Sequence, residues 1–305
     1  MESTTTQIKQ NFKTNHNDIH QMVTDTIIQQ LENGVIPWQK PWIGTNGKLP
    51  GLPVNFTTNK YYRGINILLL WSAAIEKNYP SDEWASFKQW QAKGEAIQKG
   101  EKGNVIVYYD TIEKEKDGEI QKIPFLKLSK VFNRTQLVSF DTTEIPENIP
   151  LQCSVEKQNE IEQFLSDTKA DIEWHTGGAC YIPSQNKIKI PNAEYFQDTA
   201  TCTATEGYYS TIFHELTHWT GAEKRLNRTN GKKFGDNNYA TEELVAEFGA
   251  AFLCAGFGIH TIEKGDHAGY IDSWLKVLKE NKKCLFTAAS EASKAYDYLH
   301  SLSID

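Results

Sequence analysis

The run His214-Glu215-Leu216-Thr217-His218 constrains this chain more than any other feature. On a helix, two histidines four residues apart share one face, about 6 Å apart along the axis. Their ring nitrogens can then meet at a single ion at the roughly 2.0–2.1 Å of Zn–N bonds. Glu215, one position on, is placed to take a proton from metal-bound water rather than to ligate. The chain must therefore build a helix at about 205–219, bring a third ligand from elsewhere and keep a position open for water.

Thr241-Glu242-Glu243-Leu244-Val245-Ala246-Glu247-Phe248-Gly249-Ala250 supplies candidates for that ligand. Val245, Phe248 and Phe252 mark an apolar side, and Gly249, Ala250 and Ala251 allow close packing on another helix. Three carboxylates in six such residues do not read as a solvated face. Glu243 and Glu247 share a face. Glu243 is expected as the third ligand, and Glu247 as acceptor for the other ring nitrogen of a ligand histidine. Glu242 is expected to point elsewhere, as a surface carboxylate. A His2Glu set takes Zn²⁺ and also accepts Mn²⁺ or Co²⁺. Tyr239, His260 and His267 are candidates to stabilise an oxyanion nearby.

Around this centre the pattern predicts an α+β chain. In the second half, a helix at about 153–168 and a strand at Asp171–His175 are followed by a hairpin joining Ala179–Ile182 to Lys187–Ile190. Helices at about 240–256, 268–280 and 285–302 complete it. In the first half, a helix runs from Ile19 to Leu31 and stops at Asn33-Gly34. Pro37 and Pro41 then hold Trp38 and Trp42 in a rigid turn. Further helices are read at Arg63–Lys77 and Glu83–Lys93. A strand over Asn104–Tyr109 turns at Asp117-Gly118 and returns over Phe125–Phe140.

At about 100–200 residues per domain, 305 residues suggest two domains. The net charge of -7 argues against a nucleic-acid partner only until it is divided. Residues 1–140 hold 17 Lys/Arg and 14 Asp/Glu, whereas 141–305 hold 15 and 25. The divisions drawn are a loose tail over 1–17, a domain over 18–140, a linker over 141–152 and a domain over 153–305. Single-strand binders interleave aromatic platforms with cations. The first half does so at Trp38, Lys40 and Trp42, at Lys60, Tyr62 and Arg63, at Lys99 and Lys102 with Tyr109, and at Lys130 and Arg134. Trp71 and Trp84, among leucines and phenylalanines, read as core. Five cysteines without a C-x-x-C pair suggest reduced thiols. With no apolar signal core and no spanning segment, a soluble cytoplasmic protein is expected, with no membrane partner.

HELTHWTG, RLNR at Arg225–Arg228 and FGDNNYATEELVAEFGAAFLC at Phe234–Cys254 resemble the metallopeptidase domain of ArdC-type antirestriction proteins. These belong to a zincin-like group carried by plasmids and phages. YIPSQNKIKIP and YIDSWLKVLKENKKCLFTAASEASKA fit the same domain. PWQKPW, PVNFTTNKYYRGINILLL and WASFKQWQAKGEAIQKGEKG resemble that family's N-terminal single-stranded-DNA-binding domain. The resemblance spans roughly residues 20–302. It implies two domains, a mixed α/β single-strand binder followed by a zincin-like metallopeptidase, and by likeness to gluzincins it favours Glu243 as third ligand. It further implies protection of incoming plasmid DNA from host restriction during conjugation. The partners would be single-stranded DNA and a protein substrate, the host restriction machinery being one candidate. Two other readings share these residues: a DNA-directed protease that clears proteins from DNA, and a single-strand binder whose metal is structural. No P-loop and no G-x-S-x-G elbow is present, so NTPase and serine-hydrolase chemistry have no support.

Overall fold

Helix α5 (Ala204–Thr220), which carries the two histidines, starts at a capping box. Thr203 Oγ1 accepts from the Glu206 amide at 3.2 Å, and Glu206 Oε2 accepts from the Thr203 amide at 2.7 Å. This reciprocal pair fixes where the helix begins and so where His214 and His218 fall. The computed structural model describes residues 18–38, 51–116, 119–140, 155–198, 202–228, 237–259 and 267–303. The tail over 1–17, the whole linker over 141–152 and the Asp117-Gly118 turn lie outside them.

In chain order the first half contains α1 (Ile19–Glu32), the short strands β1 (Val54–Asn55) and β2 (Lys60–Tyr61), α2 (Ile65–Lys77), β3 (Glu83–Ala85) and α3 (Phe87–Ala92). The ribbon β4 (Asn104–Lys116) and β5 (Glu119–Asn133) follows. These strands form one sheet in the order β2-β1-β3-β5-β4, in which only β1 and β3 are parallel. The helix expected over Glu83–Lys93 is thus corrected: its first three residues are a strand, and Ser86 and Gln89 form a capping box that starts the helix after them.

The second half contains α4 (Asn159–Asp167), β6 (Asp171–His175), β7 (Cys180–Ile182), β8 (Lys187–Pro191), α5, α6 (Asn237–Gly256), α7 (His267–Glu280) and α8 (Cys284–Ser301). Its sheet runs β6-β8-β7, with β7 as an antiparallel edge. The architecture is α+β in two parts. Among the described residues no helix is long and apolar enough to cross a membrane.

Helix α6 is wedged between two apolar cores. Leu244, Phe248 and Phe252 join a cluster with Val23 and Ile27 of α1, Leu68 and Trp71 of α2, and Trp274 of α7. Leu253 and Cys254 join the other, with Phe164, Ile188, Ile190 and Phe213. A helix apolar on every side is a buried one, so its carboxylates need partners of their own. The first core also takes in residues of the N-terminal half, so the two parts are joined by packed apolar surface.

Trp38 belongs to that core. It is 1% exposed, with its ring 4.8 Å from Phe248 and 5.3 Å from Trp274, both edge-on. The expectation that Trp38 stacks on DNA is therefore overturned: an indole enclosed by two aromatic rings has no face for a base. Trp71 and Trp84 are buried, as expected.

Candidate metal centre

Close approach of α5 and α6 builds the site. At Gly249 a Cβ would sit 2.4 Å from Thr217 Cγ2, so only glycine lets α6 lie this close to the H-E-x-x-H helix. At this spacing His214, His218 and Glu243 offer ligand atoms that all lie within 4.8 Å of one another. His214 Nε2 is 3.5 Å from Glu243 Oε2, and His218 Nε2 is 3.5 Å from Glu243 Oε1. Ligand bonds of 2.0–2.2 Å around a tetrahedral ion give edges of about 3.4 Å, so the donor set fits a zinc-sized ion.

The other ring nitrogens are held from the same helix. His214 Nδ1 lies 3.3 Å from Glu247 Oε1, and His218 Nδ1 lies 3.3 Å from Glu242 Oε1. The Nδ1–H of His218 donated to Glu242 leaves its Nε2 lone pair toward Glu243, and the same tautomer of His214, whose Nδ1 is within ion-pair range of Glu247, turns its Nε2 the same way. Acceptors facing acceptors in a buried site repel unless a cation lies between them, which is what this arrangement suits.

Glu242 is the main departure from expectation. It is no surface carboxylate: it is 8% exposed. Arg228 donates to it from Nη2 at 2.8 Å and from Nε at 3.1 Å. The same guanidinium donates to the Thr217 carbonyl and to Thr220 Oγ1, each at 2.7 Å, which ties it to α5. Burial pushes the Glu242 carboxyl up, but the hydrogen bonds from His218 and Arg228 and the guanidinium charge hold it below its ordinary value. Arg228 had no assigned role in the sequence. The signal available was the RLNR run, two cations shortly after the metal helix of a strongly acidic half.

Glu215, also 8% exposed, sits on α5 between the two histidines. Burial first, and the Glu215 carboxylate second, push the Cys180 thiol of edge strand β7 up. Edge strand β7 packs against α5 beside Glu215. Arg225 locks it there: it stacks 3.8 Å over the Trp219 ring and donates to Tyr181 Oη at 3.1 Å and Asn186 Oδ1 at 2.8 Å of the β7–β8 hairpin. Tyr239 stands one turn before Glu243 and bonds to its carboxylate. His260 and the side chain of His267 lie outside the described residues.

The candidate DNA residues fall in two groups. Lys60, Tyr62 and Arg63 cluster at β2, where Tyr62 Oη accepts from Asn55 at 3.2 Å and Arg63 pairs with Asp297 of α8. Lys99 and Lys102 are exposed ahead of the ribbon, which presents Tyr109 and Lys130. Tyr108 and Lys127 of the same ribbon are exposed and stand opposite each other in register. Arg134 is engaged by Glu83 at 2.6 Å. Lys40 and Trp42 lie outside the described residues.

A metal-free crystal structure of the antirestriction protein ArdC from plasmid R388 matches with a TM-score of 0.77 and 37% identity, covering 94% of this chain and 98% of that one. This chain belongs to the ArdC antirestriction family. A Mn(II)-bound structure of the same plasmid protein gives a TM-score of 0.75 at 36% identity, covering 94% and 99%. Residues 17–132 match the N-terminal domain of anti-restriction factor ArdC, and residues 159–291 match the zincin-like metallopeptidase family. Protein y4eC of Sinorhizobium fredii is 32% identical over 297 residues, 94% of this chain and 93% of that protein. A DNA primase TraC of Escherichia coli is 32% identical over 302 residues, 92% of this chain but 27% of its own length. The ArdC-family region is thus a small part of that larger protein.

Proposed function

We propose that this ArdC-family chain is a two-part antirestriction protein, pairing a single-stranded-DNA-binding half with a divalent-metal-dependent peptidase half. The observation that carries the reading is the convergence of His214, His218 and Glu243 beside the buried Glu215. These three would hold the ion, and zinc suits the donor set; the Mn(II) in the R388 ArdC crystal supports a divalent metal at such a site. A bound ion supplies Lewis-acid polarisation of a carbonyl and a lowered water pKa.

The chain's own groups do the rest. Glu247 and Glu242 orient the two imidazoles. Glu215 takes a proton from the attacking water on its carboxylate and returns it to the leaving amide nitrogen. Tyr239, whose hydroxyl bonds to Glu243, can donate to the oxygen that becomes negative once that bond is released to it. Among the described residues edge strand β7 pairs on one side only, with β8, and it offers its other side to an extended peptide next to Glu215.

Cations interleaved with exposed tyrosines on the ribbon and at β2 support single-strand binding by the first half. In a cell the two activities together would protect plasmid DNA entering as a single strand from host restriction. The test combines metal analysis, oligonucleotide anisotropy and hydrolysis of an unfolded protein substrate with and without oligonucleotide. Stoichiometric metal, salt-sensitive DNA binding and cleavage abolished in Glu215→Gln are expected. Wild-type protein with a full metal complement that cleaves nothing, with or without DNA, overturns the peptidase half.

A further inference from the structure

A cavity of about 350 Å³ opens where β2 meets α6 and α8, within the size range of small-molecule sites. Its floor is Leu52, Ile67 and Phe252, all nearly inaccessible and all apolar. Tyr61 and Tyr296 line it, and Tyr61 is 59% exposed, an uncommon setting for so large a ring. At the mouth stand Lys60 and Arg63. Asp297 accepts from two nitrogens of the Arg63 fork, one of them at 3.0 Å, which fixes the guanidinium there and leaves three of its five N–H donors for another acceptor. Two cations and one carboxylate give the mouth one net positive charge.

An apolar floor beside a presented aromatic ring, under a mouth with one surplus positive charge, is the chemistry that takes a flat heteroaromatic ring carrying one phosphodiester. Proteins that hold single strands splay bases out onto tyrosine and set cations along the backbone. We infer that this cavity receives one unstacked nucleobase of a bound single strand, with the ring against Tyr61 and the phosphate at Lys60 and Arg63. This rests on the reading of the first half as a single-strand binder. It adds a defined base site, formed jointly by both parts of the chain, that the exposed ribbon alone does not provide.

The test uses the full chain and a labelled 20-nucleotide oligo-dT at about 50 mM salt, where phosphate contacts are least screened. Tyr61→Ala, a change at an exposed position, should weaken binding about tenfold. Tyr195→Ala removes a comparably exposed ring from the other half and should leave binding unchanged. A 2-aminopurine placed in the oligonucleotide should be quenched by wild type and less so by Tyr61→Ala. Wild-type binding with Tyr61→Ala equal to it overturns the base site and leaves single-strand binding standing. Absence of any binding by wild type overturns the single-strand reading itself. Deoxythymidine monophosphate binding as tightly as the oligonucleotide makes the occupant a free nucleotide and overturns the assignment to a strand.

Discussion

Arg228 grips Glu242 with two donors, Nη2 at 2.8 Å and Nε at 3.1 Å, while Glu242 lies 3.3 Å from His218 Nδ1. A cation on the loop after α5 thereby sets the imidazole angle of a candidate ligand without touching the ligand itself. Arg228→Met should lower metal affinity by about 10–100-fold, the usual cost of losing such outer support. It also leaves a buried carboxylate without its main partner, at a cost of about 3–5 kcal/mol. Chelator competition reads the first effect and urea unfolding of the metal-free protein reads the second. Unchanged metal affinity would show that Glu242 orients His218 unaided.

Gly249→Ala puts a methyl into Thr217, which is itself fully buried. The contact must open by about 1 Å to reach van der Waals distance, at about 1–3 kcal/mol for an overpacked site. Because Glu243 and Glu247 ride on α6, metal affinity should fall along with stability. Adding Thr217→Ala removes the two nearest atoms and should restore part of both. Rescue of neither would place the defect elsewhere.

Local signals and long-range ones were unequally legible in the sequence. The H-E-x-x-H helix and the β7–β8 hairpin follow from spacing within one segment, and both lie where that spacing puts them. Trp38 misled because its Pro-flanked turn is local while its burial is imposed by Phe248 and Trp274, more than 200 residues away. Glu83–Ala85 misled because Trp84, Phe87 and Trp90 recur every three residues, a helical spacing, and a three-residue strand is too short to show alternation. Glu242 misled because adjacent carboxylates on a helix point about 100° apart, and only the packing of α6 on both sides, with Arg228 brought over it, shows that both directions are interior.

Glu215→Gln keeps the size of the side chain and removes its capacity to take a proton. Metal content should stay at the wild-type level while hydrolysis falls at least 10²–10⁴-fold, the usual range for general-base removal. Metal content by atomic emission and cleavage of a fluorogenic peptide separate the two. Loss of metal together with activity would move Glu215 from base to ligand.

Trp38→Ala discriminates core from platform. Emptying the space between Phe248 and Trp274 should cost about 3–5 kcal/mol of stability. Oligonucleotide affinity of the still-folded fraction, measured well below the lowered melting temperature, should stay close to wild type. A large affinity loss with stability intact would return Trp38 to the DNA surface.

His300 gives the fold a titratable weak point. Its ring packs 4.2 Å from Tyr296 and 5.1 Å from Phe164, and its Nε2 has no hydrogen-bond partner among the described residues. Burial holds its pKa below the ordinary 6.5, against the opposing pull of Asp297 and Glu160. A histidine harder to protonate folded than unfolded makes the unfolded chain the stronger proton acceptor. Its stabilising effect is therefore complete above pH 6.5 and is lost as pH falls from there toward the folded value. His20, also lowered by burial, acts in the same direction. His300→Phe should accordingly flatten the fall in urea midpoint between pH 7 and pH 5.5 without removing it. An identical slope in wild type and variant would mean that the His300 ring is hydrated in solution and titrates as it does in the unfolded chain.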